Sequence, residues 1–188
     1  MMRLAAANDT DDGDKGDDAA NDPQAAQAEP PQSKPQPPEL LSPTPDQQTR
    51  KDGHGEGAFG VSRDKGKRKH NGIDLVAPPG TAITSPVDGT VVTPFDPYPN
   101  DPEKSGKLKA IRIETKDGHL VDVLYVDVDA AKLKRGTTIN KGDPLGPAQD
   151  LSSVYPPTDK GPMTNHVHLQ IKKDGIYIDP TPLLRPRK

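Results

Sequence analysis

Apolar and polar residues alternate most clearly over residues 166–172. The apolar positions are Val167, Leu169 and Ile171. Because successive side chains of an extended strand point to opposite faces, this alternation predicts a strand with one core face and one polar face. His166, His168 and Gln170 fall on the polar face, so two imidazoles are expected side by side there.

Other short apolar runs, punctuated by glycine and proline, predict further strands from residue 58 onward. These runs are residues 82–84, 90–93, 108–115, 120–126, 137–140 and 144–146. The segment between residues 115 and 120 contains Asp117-Gly118, a strong hairpin signal, so the two flanking strands are expected to pair antiparallel. No window of ten or more residues has helical periodicity, and residues 130–134 predict at most one turn. We therefore predict an all-β antiparallel domain, a β-sandwich, over residues 58–184.

Residues 1–57 show no apolar periodicity. Seven aspartates precede residue 23, and eight prolines follow between Pro23 and Pro45. Like charges repel and each proline restricts φ, so such a segment is extended and offers no apolar face for packing. We interpret residues 1–57 as a disordered tail that acts as a spacer, and residues 185–188 as a short C-terminal tail.

Composition narrows the range of functions. The 188 residues include no cysteine, which excludes disulfides, a thiolate nucleophile and sulfur-ligated zinc. A net charge of −3 provides no field that would attract nucleic acid, so no nucleic-acid partner is expected. No run approaches the roughly 18 apolar residues that a membrane-spanning helix needs, so no transmembrane segment is predicted.

Two short motifs carry the candidate chemistry. His70 and Asp74 are four residues apart, an even offset that places both side chains on one side of extended backbone. Two imidazoles and one carboxylate are a common ligand set for catalytic zinc. One histidine of the His166 and His168 pair would complete that set, and the other would serve as general acid or base. Each motif taken alone also fits ordinary side chains that face water.

The remaining basic and histidine positions are interpreted as solvated. His54 lies between two glycines of the tail-like segment, and His119 occupies the predicted hairpin turn. The basic run at residues 65–69 has no neighbouring aromatic residue, so we interpret it as a solvated loop that faces substrate.

An ordered set of motifs resembles a known family. The segments are residues 70–75 (HNGIDL), 79–81 (PGT), 88–91 (DGTV), 141–146 (KGDPLG) and 166–169 (HVHL). Together they resemble the core of the lysostaphin-type zinc metallopeptidases over about residues 59–184. The resemblance implies a sandwich of duplicated-hybrid-motif type, one zinc ion per chain and hydrolysis of peptide cross-links in bacterial peptidoglycan. It also implies that His70, Asp74 and His168 bind the zinc and that His166 is catalytic.

One position departs from the family pattern. The family has a second catalytic histidine in a Tyr-x-His-Leu segment, whereas this chain has Asp127 at the matching position after Tyr125 and Val126. A carboxylate can carry a proton, so Asp127 is a candidate catalytic residue, but it cannot present an imidazolium to an oxyanion. The alternative is a catalytically impaired homologue that binds cell wall or activates an enzyme as a scaffold. The long segment 147–164 is expected to rim or cover the cleft.

Action on cell wall implies a location outside the cytoplasm. The short stretch from Arg3 to Ala7 is consistent with the end of a trimmed secretory signal, although no complete signal is present. The other route is delivery by a larger assembly, a virion or a secretion machine, with residues 1–57 as its tether. Both routes remain open at this point.

Overall fold

The computed structural model describes residues 36–187, which form an all-β domain. Fifteen short strands are present in this range: β1 Leu40–Leu41, β2 Lys51–Asp52, β3 Gly55–Glu56, β4 Ser62–Arg63, β5 Arg68–Lys69, β6 Ile73–Val76, β7 Ala82–Thr84, β8 Gly89–Phe95, β9 Ala110–Glu114, β10 Leu120–Leu124, β11 Thr138–Ile139, β12 Pro144–Pro147, β13 His166–Lys173, β14 Ile176–Ile178 and β15 Leu184–Arg185. Three single-turn 3-10 helices are Asp64–Gly66, Leu151–Ser153 and Thr181–Leu183. None of the helices in the described part of the chain is long and apolar enough to cross a membrane. The all-β prediction is confirmed.

A seven-stranded antiparallel sheet is the largest sheet of the described residues. Its order is β11-β8-β9-β10-β13-β14, and β6 pairs with the first half of β13. The predicted hairpin is present as β9 and β10, with Leu120 opposite Glu114. Gly118 has a φ of 80°, a left-handed conformation that favours glycine in such a turn. β13 is therefore flanked by β10 on one side and by β6 on the other.

The core lies between this sheet and a small sheet of β7 and β12. β7 and β8 are neighbours in sequence but join different sheets, since β8 pairs with β11 and β7 pairs with β12. Fully buried apolar side chains from both sheets belong to one cluster, including Ile83, Ile111, Val123 and Leu169. The apolar side chains that alternate along residues 166–172 therefore form one wall of this core.

Residues 36–57 are part of the domain, so the predicted domain boundary at residue 57 is wrong. Leu40 is fully buried in the core, and β1 pairs in parallel with β15. The backbone of this segment also binds β6, where Val76 donates to the carbonyl of Gln48 and Arg50 donates to the carbonyl of Asp74. The segment lacks a periodic pattern because backbone hydrogen bonds hold it, and few of its side chains enter the core.

The predicted C-terminal tail is also partly ordered. Arg185 belongs to β15, and Nη1 of Arg187 donates to the carbonyls of Pro43 and Ala82 at 3.3 and 3.1 Å. The acidic part of the predicted N-terminal tail, residues 1–35, lies outside the described residues.

Candidate metal centre

The paired strands β6 and β13 bring two candidate ligands together. His168 lies directly opposite Asp74 in the antiparallel register, so both side chains point to the same face. His70 approaches from the turn before β6. A Cβ at Gly72 would lie 2.3 Å from the carbonyl oxygen of Leu169 and 2.7 Å from Nε2 of His168, so only glycine permits this close approach.

Three donor atoms converge at this point. Nε2 of His70 lies 3.0 Å from Nδ1 of His168 and 3.2 Å from Oδ1 of Asp74. Nδ1 of His168 lies 3.0 Å from the same Oδ1. The three residues are buried and can present ligand atoms within 4.8 Å of one another. The structure thus brings together the three residues that the sequence suggested as ligands.

The second nitrogen of each imidazole faces an acceptor. Nδ1 of His70 lies 2.9 Å from the carbonyl oxygen of Ala58, and Nε2 of His168 lies 3.2 Å from Oε1 of Gln170. The amide nitrogen of Gln170 donates to Asp122 at 2.8 Å, which leaves its oxygen to accept from His168. If these outer nitrogens carry the protons, the two inner nitrogens meet with lone pairs only 3.0 Å apart beside a carboxylate. A cation relieves that repulsion, so the donor set fits a metal ion.

Arginines hold the outer oxygen of Asp74. Nη2 and Nε of Arg50 donate to Oδ2 at 3.1 and 3.3 Å, and Nη2 of Arg63 lies 3.6 Å away. Burial alone would raise the pKa of Asp74, but its contacts with His168, His70 and His166 lower the pKa well below its usual range. Asp74 is therefore an anion whose Oδ1 faces the donor group and whose Oδ2 is held by guanidinium.

His166 lies beside this donor group. Its Nε2 is 3.7 Å from Oδ1 of Asp74, and its Nδ1 lies 2.7 Å from the carbonyl oxygen of Thr164. The edge of the imidazole packs against the ring of Tyr125, with ring centroids 5.5 Å apart. Burial lowers the pKa of His166, while the charge of Asp74 and the bond to Thr164 act in the opposite direction. A neutral His166 bonded through Nδ1 presents an unprotonated Nε2 to the cleft.

Asp127, by contrast, is not brought into this group. Its side chain is half exposed and pairs with Nζ of Lys109, and it lines a separate cavity. The expectation of a carboxylate beside the histidines at this position is therefore wrong. The cause is a change of backbone direction at Tyr125, which has a left-handed φ of 71°. Leu124 and Tyr125 both line the cleft, Val126 enters the core and Asp127 faces solvent.

Tyrosine hydroxyls form one wall of the cleft, which the sequence analysis missed. Oη of Tyr98 lies 2.5 Å from Oη of Tyr125 and 2.6 Å from Oη of Tyr155. Burial raises the pKa of both Tyr98 and Tyr125, so these hydroxyls keep their protons. Three protons serve two hydroxyl-to-hydroxyl bonds, which leaves one O–H free to donate to another group. The tyrosines come from three separate segments, and no local sequence pattern predicts that their hydroxyls lie together.

Two other histidine interpretations are also wrong. His54 is half-buried at the rim of the cleft, and its Nε2 lies 2.9 Å from the carbonyl oxygen of Gly161. His119 is buried far more deeply than a turn residue would be, with 1% of its surface exposed. Its Nδ1 lies 3.0 Å from a carboxylate oxygen of Asp117 within the hairpin.

The cleft above the donor group has a volume of about 360 Å³. Tyr155 and Met163 from the long segment 147–164 line it, so that segment rims the cleft as expected. Arg50, Arg63 and Arg68 also line the cleft. A buried donor group at the base of an open cleft can bind a metal ion and a substrate together.

Two histidines and one carboxylate that could hold a metal ion, at the base of an open cleft, are typical of metal-dependent hydrolases. Residues 68–180 match the family model of Peptidase family M23. The chain therefore belongs to peptidase family M23, and the resemblance to the lysostaphin-type metallopeptidases is confirmed.

Individual relatives are similar to part of this chain in sequence or structure. It is 27% identical over 119 residues to bovine (Bos taurus) leukocyte cell-derived chemotaxin-2, covering 63% of this chain and 69% of the relative. It resembles the structure of Csd3 from Helicobacter pylori, with 23% identity, a TM-score of 0.55 and coverage of 79% of this chain and 35% of Csd3. A zinc-containing peptidase from Vibrio cholerae has 20% identity and a TM-score of 0.51, covering 75% of this chain and 39% of its own. These two structures establish the fold, and the chain spans about a third of Csd3.

Proposed function

We propose that the protein is a zinc metalloendopeptidase that hydrolyses peptide cross-links of bacterial peptidoglycan. The observation that carries this proposal is the convergence of donor atoms from His70, Asp74 and His168, with His166 beside them, in a chain of peptidase family M23. The substrate follows from the lysostaphin-type resemblance.

Zinc is the metal that suits this donor set. Two imidazole nitrogens and one carboxylate oxygen, with no sulfur, favour zinc over calcium or magnesium. Three protein ligands leave a fourth position for substrate or water, so we expect one zinc ion per chain. A zinc ion held there supplies Lewis-acid chemistry, which polarises a peptide carbonyl and lowers the pKa of water.

The residues around the metal centre have separate roles in this proposal. His166 accepts a proton from the attacking water at Nε2 and later delivers it to the leaving amine, and its bond to Thr164 keeps the ring in position. The hydroxyls of Tyr98, Tyr125 and Tyr155 form a hydrogen-bonded cluster, and the one O–H that this cluster leaves free donates to the oxygen on which negative charge develops. Asp127 takes no part, because it lies in a different cavity.

Purified cell walls from several bacteria provide the test. The zinc-loaded protein is incubated with each wall, and soluble fragments and new amino groups are measured. We expect release that stops on chelation and returns with zinc, and no release by a His168→Ala variant. If none of the walls gives metal-dependent fragments or amines, the peptidase proposal fails.

The second candidate function is binding without hydrolysis, as a cell-wall-binding or enzyme-activating scaffold. The position of Asp127 favours it, because the chain has no histidine where the family has its second catalytic one. A protein that binds walls without cutting them, with or without zinc, would support this candidate. Turnover by the unmodified chain that disappears on chelation would rule it out.

The substrate places the protein outside the cytoplasm. We propose export across the inner membrane or delivery by a larger assembly, as a virion or secretion component. Fractionation of the source cells separates these routes, since export gives free protein outside the inner membrane and delivery gives protein bound to the assembly. Protein confined to the cytoplasm would contradict both.

A further inference from the structure

Positive charge dominates the cleft beyond what the metal centre uses. Its lining includes three arginines, Arg50, Arg63 and Arg68, and a single acidic residue, Asp74. Arg50 is fully engaged, because it bonds Asp74 at 3.1 Å and Asp52 at 2.7 Å. Arg68 bonds the carboxylate of Asp64 through Nε, which leaves its two Nη groups for a ligand. Arg63 and Arg68 are therefore the arginines that can serve a bound ligand, and a divalent metal ion would add further positive charge.

These two arginines face each other across a short hairpin. Arg63 lies opposite Arg68 in the antiparallel pair of β4 and β5. Like charges in directly opposed positions destabilise a strand pair. The turn between them contains two residues with left-handed φ, Asp64 at 50° and Lys65 at 55°, which is an unfavourable conformation for side-chain-bearing residues. The hairpin thus carries both repulsion and backbone strain at the edge of the cleft.

Neighbouring groups hold both guanidinium groups in place without neutralising Arg63. Nη2 of Arg63 donates to the carbonyl oxygen of Glu56 at 2.6 Å, and Nε of Arg68 bonds the carboxylate of Asp64. Among the described residues, the carboxylate oxygen that pairs with Arg63 is Oδ2 of Asp74, at 3.6 Å. This distance is too long for a hydrogen bond, and the same oxygen already accepts from Arg50. Burial lowers the pKa of Arg63, and the positive charges of Arg50 and Arg68 lower it further, whereas the negative charge of Asp74 raises it.

We infer that Arg63 and Arg68 form an anion subsite that binds a carboxylate of the substrate beside the metal centre. A guanidinium presents a planar pair of N–H donors that matches a carboxylate, and two guanidinium groups on one hairpin face strengthen that match. This inference rests on the proposed function for the peptide nature of the ligand. It specifies an acidic peptide, with a free carboxylate next to the scissile bond, in preference to a neutral glycine-rich bridge.

Matched peptides test the subsite. Two peptides of one sequence, with Glu or Gln next to the scissile bond, are bound to the zinc-loaded His166→Ala variant, which keeps both arginines and the zinc ligands. Affinity is measured by calorimetry at low and high salt. We expect the Glu peptide to bind at least about tenfold more tightly, and the difference to shrink as salt increases.

Variants in the same background assign the preference to the two arginines. Arg63→Gln and Arg68→Gln should each remove most of it, and Arg63→Lys should keep an intermediate preference. Arg68→Gln should leave zinc content and thermal midpoint unchanged, whereas Arg63 lies 3.6 Å from Oδ2 of the zinc ligand Asp74, so the Arg63 variants are compared at equal zinc occupancy. The control is Arg135→Gln, at an exposed position outside the cleft, which should retain the full preference. Arg68 is 59% exposed, so Arg68→Gln should fold. It therefore still tests the subsite if Arg63→Gln fails to fold.

The outcomes separate this inference from the proposed function. Equal affinities for the two peptides, no measurable binding of either one, or a preference that survives both Gln variants would overturn the subsite. If the wild-type protein binds the Glu peptide more tightly in an Arg63-dependent way but cuts neither peptide, the subsite stands and the peptidase proposal fails. If it cuts both at the same rate and binds both equally, the peptidase proposal stands and the subsite fails.

Discussion

Arg50 holds the carboxylate of Asp74 from the side opposite the metal donors, with Nη2 3.1 Å from Oδ2. The same guanidinium bonds Oδ1 of Asp52 at 2.7 Å, and Oδ2 of Asp52 accepts from the backbone N–H of Thr164 at 2.9 Å. The carbonyl of Thr164 in turn lies 2.7 Å from Nδ1 of His166. A single hydrogen-bonded path therefore connects a proposed zinc ligand with the proposed proton carrier, and it runs through the segment before residue 57.

Replacing Arg50 with methionine should weaken both the fold and the metal site. Both partners are buried, so breaking the pair should cost about 3–5 kcal/mol in the free energy of unfolding. Loss of a group that orients a metal ligand should weaken zinc binding by about 10- to 100-fold. Denaturant unfolding and competition with a chelator measure the two effects. Arg185→Met, which removes an exposed pair with Glu39, is the control and should change stability by less than about 1 kcal/mol.

Truncation tests the revised domain boundary. A chain that begins at Gly57 loses Leu40 from the core and Arg50 from Asp74, so it should unfold at a much lower temperature and bind zinc poorly. A chain that begins at Gln36 keeps both residues and should retain the thermal midpoint and zinc affinity of the full chain. Equal stability of the two truncated proteins would show that residues 36–56 do not support the domain.

The tyrosine hydroxyls and Asp127 should differ sharply in their effect on turnover. Tyr98→Phe removes the central hydroxyl of the group, and losing an oxyanion donor should lower kcat by roughly a hundredfold with little change in zinc content. Tyr177→Phe is the matched control, because Tyr177 lies in β14 outside the cleft. Asp127→Ala should leave kcat and zinc content nearly unchanged. A large loss of kcat in Asp127→Ala alone would reverse these two assignments.

Metal removal should lower the stability of the protein. The donors come from β6, β13 and the turn before β6, so a bound ion links separate segments of the native fold and has no equivalent site in the unfolded chain. At a zinc concentration of 100 times Kd, binding should add about 2.7 kcal/mol to the free energy of unfolding. Calorimetry with and without zinc measures the shift. His168→Ala should show almost none, and an equal shift in that variant would place the ion elsewhere.

Asp52 should make stability depend on pH in the acid range. Burial alone would raise its pKa, but bonds from the Thr164 N–H, the Arg50 guanidinium and the His54 N–H lower the pKa to about 2, from an ordinary value of 3.8. A group with a lowered folded-state pKa contributes stability that is fully present above its unfolded-state pKa and is lost as the pH falls towards 2. Unfolding free energies at pH 5 and pH 2.5 measure this contribution.

Asp52→Asn should lose part of that pH dependence and should be less stable than the wild type at pH 5. The control is Asp159→Asn, at an exposed position, which should follow the wild-type curve. A wild-type curve and an Asp52→Asn curve that run parallel from pH 5 to pH 2.5 would contradict the role of Asp52.

Sequence alone determined the features that depend on neighbouring residues. The period of two over residues 166–172 predicted β13, and Asp117-Gly118 predicted the hairpin of β9 and β10. Even spacing also placed the imidazoles of His166 and His168 on one face, since side-chain direction along a strand is a local property. The spacing of His70 and Asp74 also indicated a shared ligand group before any fold was considered, although His70 lies in the turn before β6 and only Asp74 lies on the strand.

Tertiary structure alone decided the rest of the site. The left-handed backbone at Tyr125 turned Asp127 out of the cleft, although its position in the chain matched a catalytic histidine of the family. Arg50 and Tyr98 reach the cleft from segments with no periodic pattern, and they are positioned by partners 24 and 57 residues away in sequence. Hydrogen bonds between distant segments impose no repeating pattern on either segment. Such contacts form only when the sheet has formed and its edges hydrogen-bond to those segments.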